Sequence, residues 1–352
     1  MAVSNNNSEY VCTLSEDLVK QAEEELNEKP QWRSRDIQAL RDMVNKRADL
    51  KIRTDDAFLL RFLRAKKFDY DRAFNLIVRH YEMKADERNK QLFTNLRPAS
   101  VKHVLEAGVT GVLPHRDKLG RRVIMFRPGR WDPSKYPLDD IFKTNFLTLS
   151  KLVEEEPTQV TGIVMMMDLN GMGFAQAKNI SPFYAKRVAS LLQEPEAQIT
   201  GIVLVTDFKS FGWKHARRLK PLYAKRMIKI LQDCFPMRFK GIHYLNEPAI
   251  FDYIFAIVRP FLKEKILSRV RFHGNKYEEL LEFLEPEHLP SDYGGKAPPY
   301  TNEDWMKTLL ESDAYFDSQE KFGLATAAGK PETSRKEDAL DCLAGSYRKL
   351  DI

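Results

Sequence analysis

The chain has 352 residues, 43% of them hydrophobic and 30% charged, a composition that excludes disordered and fibrous classes and suits two or three globular domains. Its 56 Lys and Arg against 50 Asp and Glu leave +6, too small an excess to choose between nucleic acid and an anionic membrane as partner. Cys12, Cys234 and Cys342 lie far apart with no C-x-x-C spacing, so neither a disulfide framework nor a zinc site is implied, and a reducing intracellular compartment fits.

Residues 1–12 read as a flexible, Asn-rich start without the basic and then apolar regions of a secretory signal, and the expected location is the cytosol. Over 13–100 the apolar residues follow helical spacing, most cleanly at Tyr70, Ala73, Phe74, Ile77, Val78 and Tyr81, the stripe of an amphipathic helix. Thr54-Asp55-Asp56 offers a capping hydroxyl and two acids before Ala-Phe-Leu-Leu-Arg-Phe-Leu-Arg-Ala, and Lys66 and Lys67 suit the negative end, which predicts a helix over 54–67.

From Gly120 the pattern changes to short β-branched and apolar runs at 122–126, 162–167, 201–206, 241–245 and 270–272, with stretches of helical length at 138–153, 175–193 and 215–233 between them. Strands alternating with helices predict an α/β domain with a mostly parallel sheet, over 101–298. The segment 299–352 reads as an irregular C-terminal tail, poorly ordered from 313 onward.

Compared with itself at an offset of 39 residues, the chain aligns Gln159-Val-Thr-Gly-Ile-Val with Gln198-Ile-Thr-Gly-Ile-Val, Asp168 with Asp207, and Pro182-Phe-Tyr-Ala-Lys-Arg with Pro221-Leu-Tyr-Ala-Lys-Arg. From Gln159 to Gln193, 15 of 35 positions are identical. This is a tandem duplication of one strand-helix unit, about 155–193 and 194–232. Two copies do not make a solenoid. If both are present, one must add a strand to the sheet or sit outside it.

The catalytic motifs fail. Asn170-Gly171-Met172-Gly173 follows a predicted strand, but the third small residue of a dinucleotide loop falls on Gln176. Gly294-Gly295-Lys296 ends in Ala297, where a phosphate loop needs Ser or Thr. No G-x-S-x-G elbow or H-E-x-x-H run occurs, and the seven histidines are scattered. Asp168 and Asp207 close predicted strands, where the simplest role is to cap the next turn. The expectation is therefore no catalysis, no metal and no cofactor.

The positive signals concern surfaces. From 209 to 240 ten basic residues face one acid, Asp233, and Lys263, Lys265, Arg269 and Arg271 follow. Between them Pro248 opens a helix whose Ile250, Phe251, Ile254, Phe255, Ile257 and Val258 surround a narrow stripe of Asp252, Ala256 and Arg259. The apolar run of 13 residues from Ile250 to Leu262 is short of the roughly 20 a spanning helix needs. Cations beside exposed apolar groups suit an anionic membrane surface, and no stacking-aromatic motif supports nucleic acid.

Asp56-Ala-Phe-Leu-Leu-Arg-Phe-Leu-Arg-Ala-Lys-Lys-Phe-Asp, Gly241-Ile-His-Tyr-Leu-Asn-Glu-Pro, Pro260-Phe-Leu-Lys-Glu-Lys-Ile, His273-Gly-Asn and Leu289-Pro-Ser-Asp-Tyr-Gly-Gly occur in this order. Together they resemble the CRAL-TRIO lipid-transfer family, in its branch of alpha-tocopherol-transfer-protein-like and clavesin proteins. The resemblance spans about 14–295 and departs at the second strand-helix copy, since relatives have one. It implies a helical N-terminal domain packed on an α/β domain whose cavity holds one hydrophobic molecule beneath a helical gate. The gate corresponds to Ile250, Phe251, Ile254, Phe255, Ile257 and Val258. Pocket positions correspond to Phe142, Asn145, Leu149, Ile230, Leu231, Phe235, Met237 and Ile242, and a phosphoinositide-binding cleft to Lys66, Arg238, Lys240, Lys265 and Arg269.

The resemblance implies a tocopherol-, retinoid- or isoprenoid-like cargo, and Asn145 and Leu149, where tocopherol binders carry small hydroxyl residues, argue against tocopherol itself within that class. The expected protein is a monomeric, non-enzymatic carrier, cytoplasmic and peripherally bound to endosomal or other phosphoinositide membranes. The alternatives are a lipid-responsive sensor or adaptor without net transfer, and a hydrolase or oxidoreductase acting on a lipid.

Overall fold

The computed structural model describes residues 10–173, 176, 202–209, 239–248, 251, 252, 255, 259 and 264–324. The helices expected at 175–193 and 215–233 lie outside them.

Four helices build the N-terminal unit: α1 (Glu16–Leu26), α2 (Arg33–Asn45), α3 (Asp56–Ala65) and α4 (Tyr70–Ala85). The expected 54–67 helix is α3, two residues shorter at each end. Its cap is not the Thr54 hydroxyl: the Asp55 carboxylate accepts from Phe58 N at 3.1 Å, one residue closer to the orphan amides than the sequence pattern suggested. Asp69 caps α4 in the same way, accepting from Arg72 N at 3.0 Å. The apolar stripe of α4 buries Ala73, Leu76, Ile77 and Tyr81 against Ile37, Leu40 and Val44 of α2 and Phe58, Leu59, Phe62 and Leu63 of α3. A strand pair follows from the far end of the chain, where β8 (Gly323–Leu324) runs antiparallel to β1 (Leu50–Lys51).

The short α5 (Lys90–Phe93) and α6 (Lys102–Ala107) lead to a six-stranded sheet. Its order is β2 (Thr110–Val112), β3 (Arg122–Phe126), β4 (Ile163–Asp168), β5 (Ile202–Asp207), β6 (Phe239–Leu245) and β7 (Val270–Phe272). Only β2 is antiparallel to its neighbour. The sequence pattern had not marked β2, a three-residue run too short for alternation to register.

Both copies of the duplication enter the sheet. β4 and β5 pair with Ile163 beside Ile202 and Asp168 beside Asp207, so each residue of the first strand lies next to its own duplicate. One face of the sheet carries Val123, Met125, Val164, Met166, Val203 and Val205, all buried with Leu280, Leu284, Leu289 and Tyr293. The other carries Ile124, Ile163 and Ile202 beneath α7 (Leu138–Leu152), whose Ile141, Leu149 and Leu152 share their cluster.

The reading of 299–352 as an irregular tail is corrected over its first half. Helices α10 (Glu303–Leu310) and α11 (Asp313–Gln319) follow the single turn α9 (Glu264–Leu267). They bury Trp305, Leu309 and Phe316 in the α7 cluster. Mixed polarity misled the reading because three apolar side chains at helical spacing suffice to dock a short amphipathic segment.

Candidate functional site

The face beneath α7 is unevenly covered. Its residues on the central strands, Met165 and Met167 of β4 and Leu204 of β5, are only half-buried, although every apolar residue of those strands on the opposite face is buried. Central strands normally lose both faces to the core, so these half-buried side chains leave an apolar floor beside α7. On the same face of β6 and β7 stands an aromatic cluster: Phe251 stands 4.9 Å from Phe208, 5.1 Å from Tyr244 and 5.7 Å from Phe272, and Phe255 stands 5.0 Å from Phe272. Such pairs contribute about 0.5–1.5 kcal/mol each beyond burial.

The sequence-derived positions fall around this floor as follows. Phe142, Asn145 and Leu149 lie on α7, and Ile242 pairs in register with Leu204 on the floor face. Asn145 Oδ1 accepts from the Thr110 hydroxyl of β2 at 2.7 Å, so this polar group is already tied to the sheet edge. Phe251 and Phe255, expected in the gate, belong to the aromatic cluster. Ile230, Leu231, Phe235, Met237, Ile250, Ile254, Ile257 and Val258 lie outside the described residues, as does Arg238. Met165, Met167 and Leu204 were missed by sequence reasoning, and the period-two alternation of their strands could have found them.

The described basic positions lie on separate elements. Lys66 caps the C-terminus of α3, Lys240 is in β6, and Lys265 is in α9. Arg269 accepts from Ile242 N at 2.9 Å through its carbonyl, just before β7. One of them is paired with an acid: Lys240 Nζ lies 2.9 Å from Glu25 Oε2 of α1. Burial opposes ionisation of Glu25, but the hydrogen bonds from Lys240 and Gln21 and the nearby charges of Lys240 and Lys67 hold its carboxyl below the ordinary range.

The helical unit is clamped to the sheet domain by a buried charge network that the sequence did not reveal. Arg64 donates to both Glu28 oxygens, at 2.7 and 2.9 Å, to Glu156 at 3.2 Å and to Gln159 at 2.8 Å. Arg33 adds a third bond to Glu28 at 2.7 Å. Glu156 and Gln159 belong to α8 (Glu156–Thr161) in the first repeat copy, and Pro195 stands at the Glu156 position of the second. The first copy therefore carries the interdomain contact.

The motifs set aside as turns are turns. Asp168 Oδ1 accepts from Asn170 N at 2.8 Å and Asp207 Oδ1 from Lys209 N at 2.8 Å, as expected for strand-end caps. Each aspartate also accepts from a tyrosine hydroxyl, Tyr293 at 2.9 Å and Tyr277 at 2.6 Å. Gln176, the residue that broke the dinucleotide pattern, closes its loop by accepting from Gly173 N at 2.9 Å and donating to Trp131 O at 2.8 Å. A Cβ on Gly295 would stand 1.8 Å from Leu289 O, so close backbone approach explains that glycine.

A separate cavity of about 470 Å³ lies where α3, α4, α5, α7 and α11 meet. Its aromatic lining of Phe58, Phe93, Phe146 and Phe316 is mixed with Arg61, Lys84, Glu154 and Glu320. Among the described residues no group of acids, histidines and cysteines could hold a metal ion, and no helix is long and apolar enough to cross a membrane.

Comparison with known proteins places this architecture. The family model described as CRAL/TRIO domain matches residues 106–195 and again 183–295, and the model described as CRAL/TRIO, N-terminal domain matches 17–79. A mouse protein named "Alpha-tocopherol transfer protein-like" is 44% identical over 308 residues, 87% of this chain and 78% of its own. Rat "Clavesin-2" is 35% identical over 309 residues, 87% of this chain and 82% of its own. The crystal structure of Sfh5 overlays 88% of this chain and 99% of its own at 14% identity and a TM-score of 0.37. With its helical unit, its mostly parallel sheet and family matches over more than half its length, the chain belongs to the CRAL/TRIO domain family.

Proposed function

We propose that this protein is a carrier that takes one hydrophobic lipid into the cavity above Met165, Met167 and Leu204 and exchanges it at phosphoinositide-bearing membranes. The observation that carries the reading is the half-buried apolar row of Met165, Met167 and Leu204 on central strands whose other face is buried, a greasy surface with few polar anchors, as lipid pockets have. The name of the mouse relative points the same way. Tocopherol, a retinoid or an isoprenoid-like molecule is the cargo class, and no bond is made or broken.

Membrane docking rests on Lys66, Arg238, Lys240, Lys265 and Arg269. Near an anionic surface each cation contributes about 1 kcal/mol. Phe272 supports the same face: it is 45% exposed on edge strand β7, directly after Arg271 and in contact with Phe255 and Phe251. An exposed aromatic beside cations is the composition of an interfacial surface. The gate opens where its apolar side chains can be buried in the bilayer instead of over the cavity, a shift between two states driven by their difference in membrane affinity. On this reading the protein works in the cytoplasm, peripherally attached to endosomal or similar membranes.

The test is transfer of a fluorescent lipid from donor to acceptor vesicles with and without phosphoinositide. The full chain should accelerate transfer, more so with phosphoinositide present. Replacing Lys240, Lys265 and Arg269 with Ala should weaken vesicle binding while ligand uptake persists. Lipid uptake without accelerated transfer would instead favour a lipid-responsive sensor, and unchanged vesicle binding would remove the docking assignment.

A further inference from the structure

We propose that the cavity of about 470 Å³ where α3, α4, α5, α7 and α11 meet is a second ligand site, built for an uncharged aromatic molecule that carries one carbonyl or hydroxyl oxygen. The site is separate from the sheet floor and does not depend on the carrier reading. Its volume falls within the range of small-molecule pockets, about 300–1,000 Å³.

Both units of the chain supply the lining. Phe58 comes from α3, Tyr81 from α4, Phe93 from α5, Phe146 from α7, and Tyr315 and Phe316 from α11. The α7 residues belong to a stripe of their own: Phe146 and Ser150 stand one turn apart on the lining, whereas Phe142, Asn145 and Leu149 follow a different row of the same helix. The rings meet edge to face, Phe93 with Phe146 at 5.4 Å and Tyr315 with Phe316 at 5.2 Å. Walls set at such angles offer both faces and edges to a further ring, the contacts that aromatic groups prefer.

The charges of the wall cancel. Arg61 lies over the Phe58 ring at 4.2 Å and donates to Glu154 at 3.1 Å, and the Tyr315 hydroxyl donates to the same carboxylate at 2.6 Å. Lys84 and Glu320 add one charge of each sign. His80 is 2% exposed, and burial, with the charges of Lys84 and Arg61, pushes its pKa well below the ordinary value, so it adds none. A wall without net charge gives an ion nothing to replace its hydration, so the ligand that fits is neutral. Its oxygen is required by Ser150, which is 8% exposed and whose Oγ lies buried in the lining without a hydrogen-bond partner among the described residues. Hydroxyls so buried are nearly always bonded, and this one can donate to a ligand oxygen. The rings supply affinity and Ser150 fixes orientation.

The experiment measures binding of prodan, an uncharged naphthalene ketone whose fluorescence shifts to the blue on leaving water, and of dimethylaminonaphthalene, which lacks the ketone. The full chain, Ser150→Ala and Ser150→Phe are titrated, the last placing a ring inside the cavity. The full chain should bind both probes. Ser150→Ala should weaken prodan about threefold to tenfold, the scale of one hydrogen bond, and change the ketone-free probe by less than about twofold. Ser150→Phe should abolish binding of both; should it not fold, the contrast between the two probes in Ser150→Ala carries the test. Saturating retinol, a probe of the sheet floor, should leave prodan affinity within about twofold, as expected of uncoupled sites. No prodan binding to the full chain, as when water or residues 325–352 fill the cavity, would overturn the assignment. So would equal prodan affinity in the full chain and Ser150→Ala, or one-for-one displacement of prodan by retinol, which would put the probe on the sheet floor and leave the carrier reading standing.

Discussion

Arg64→Met is the most informative single perturbation of this fold. The guanidinium is almost wholly buried, with a side-chain exposure of 1%, and its partner Glu28 has 0%. Burial works against its charge, but the hydrogen bonds and charge of Glu28, with the charge of Glu156, keep Arg64 ionised and raise its pKa above the ordinary arginine range. Methionine fills much of the volume but strands two carboxylates: Glu28 keeps only Arg33, and Glu156 keeps Thr13 and the Tyr10 hydroxyl. Breaking one side of a buried ion pair costs about 3–5 kcal/mol. Each kcal/mol shifts the melting midpoint of a domain of 150–250 residues by about 2–4 °C, so the expected drop is about 6–20 °C. Because Glu156 and Gln159 belong to the sheet domain, hydrogen exchange should also show deprotection of α1 and α8 together. Differential scanning calorimetry on purified protein reads the first quantity. A drop below about 2 °C, corresponding to less than about 1 kcal/mol, would refute the view that this network holds the two units together.

Three further outcomes follow from the same geometry. Glu25→Gln removes the only carboxylate hydrogen-bonded to Lys240 among the described residues, so flotation with phosphoinositide vesicles should show tighter binding than the parent chain, and weaker or equal binding contradicts the docking surface. Glu155 and Glu156 are both held below their ordinary value of 4.5; burial opposes this, but Arg122, Thr158 and Arg116 outweigh it for Glu155, and Thr13, Tyr10 and Arg64 for Glu156. Their folded pKa values lie below the unfolded ones, so their stabilisation is fully present above about pH 5 and is lost as pH falls below 4.5 through the folded values; an acid titration by circular dichroism that stays flat to pH 3 would speak against it. Trp305→Ala empties a site that is 5% exposed and frees Thr148 from the indole hydrogen bond at 3.2 Å; the expected loss is about 3–5 kcal/mol in urea unfolding, against near zero if the C-terminal helices were loosely attached.

Much of this protein was written in local pattern. The α4 stripe, the Asp-rich start of α3 and the five runs that became β3 to β7 are periodicities of 3.6 and 2, which depend only on neighbouring residues and on the geometry of one element. The tandem copy was visible by self-comparison, and the family by motifs spread along the chain. Its fate was not visible: whether Ile202 would pair with Ile163 or leave the sheet depends on partners 39 residues apart, and register is fixed by which face finds a core. The Arg64 cluster was equally hidden, because Glu28 and Glu156 stand 36 and 92 residues from Arg64 in sequence and acquire meaning only when burial makes them depend on each other. The helices at 303–319 were misread since three buried side chains carry them, and those three have a core only once α7 is in place. Sequence alone determined the elements, the duplication and the kind of chain. The folded chain decided that both copies share one sheet, that Met165, Met167 and Leu204 stay half-buried on it, and that Glu25 pairs with Lys240, because each of these depends on residues that sequence keeps far apart.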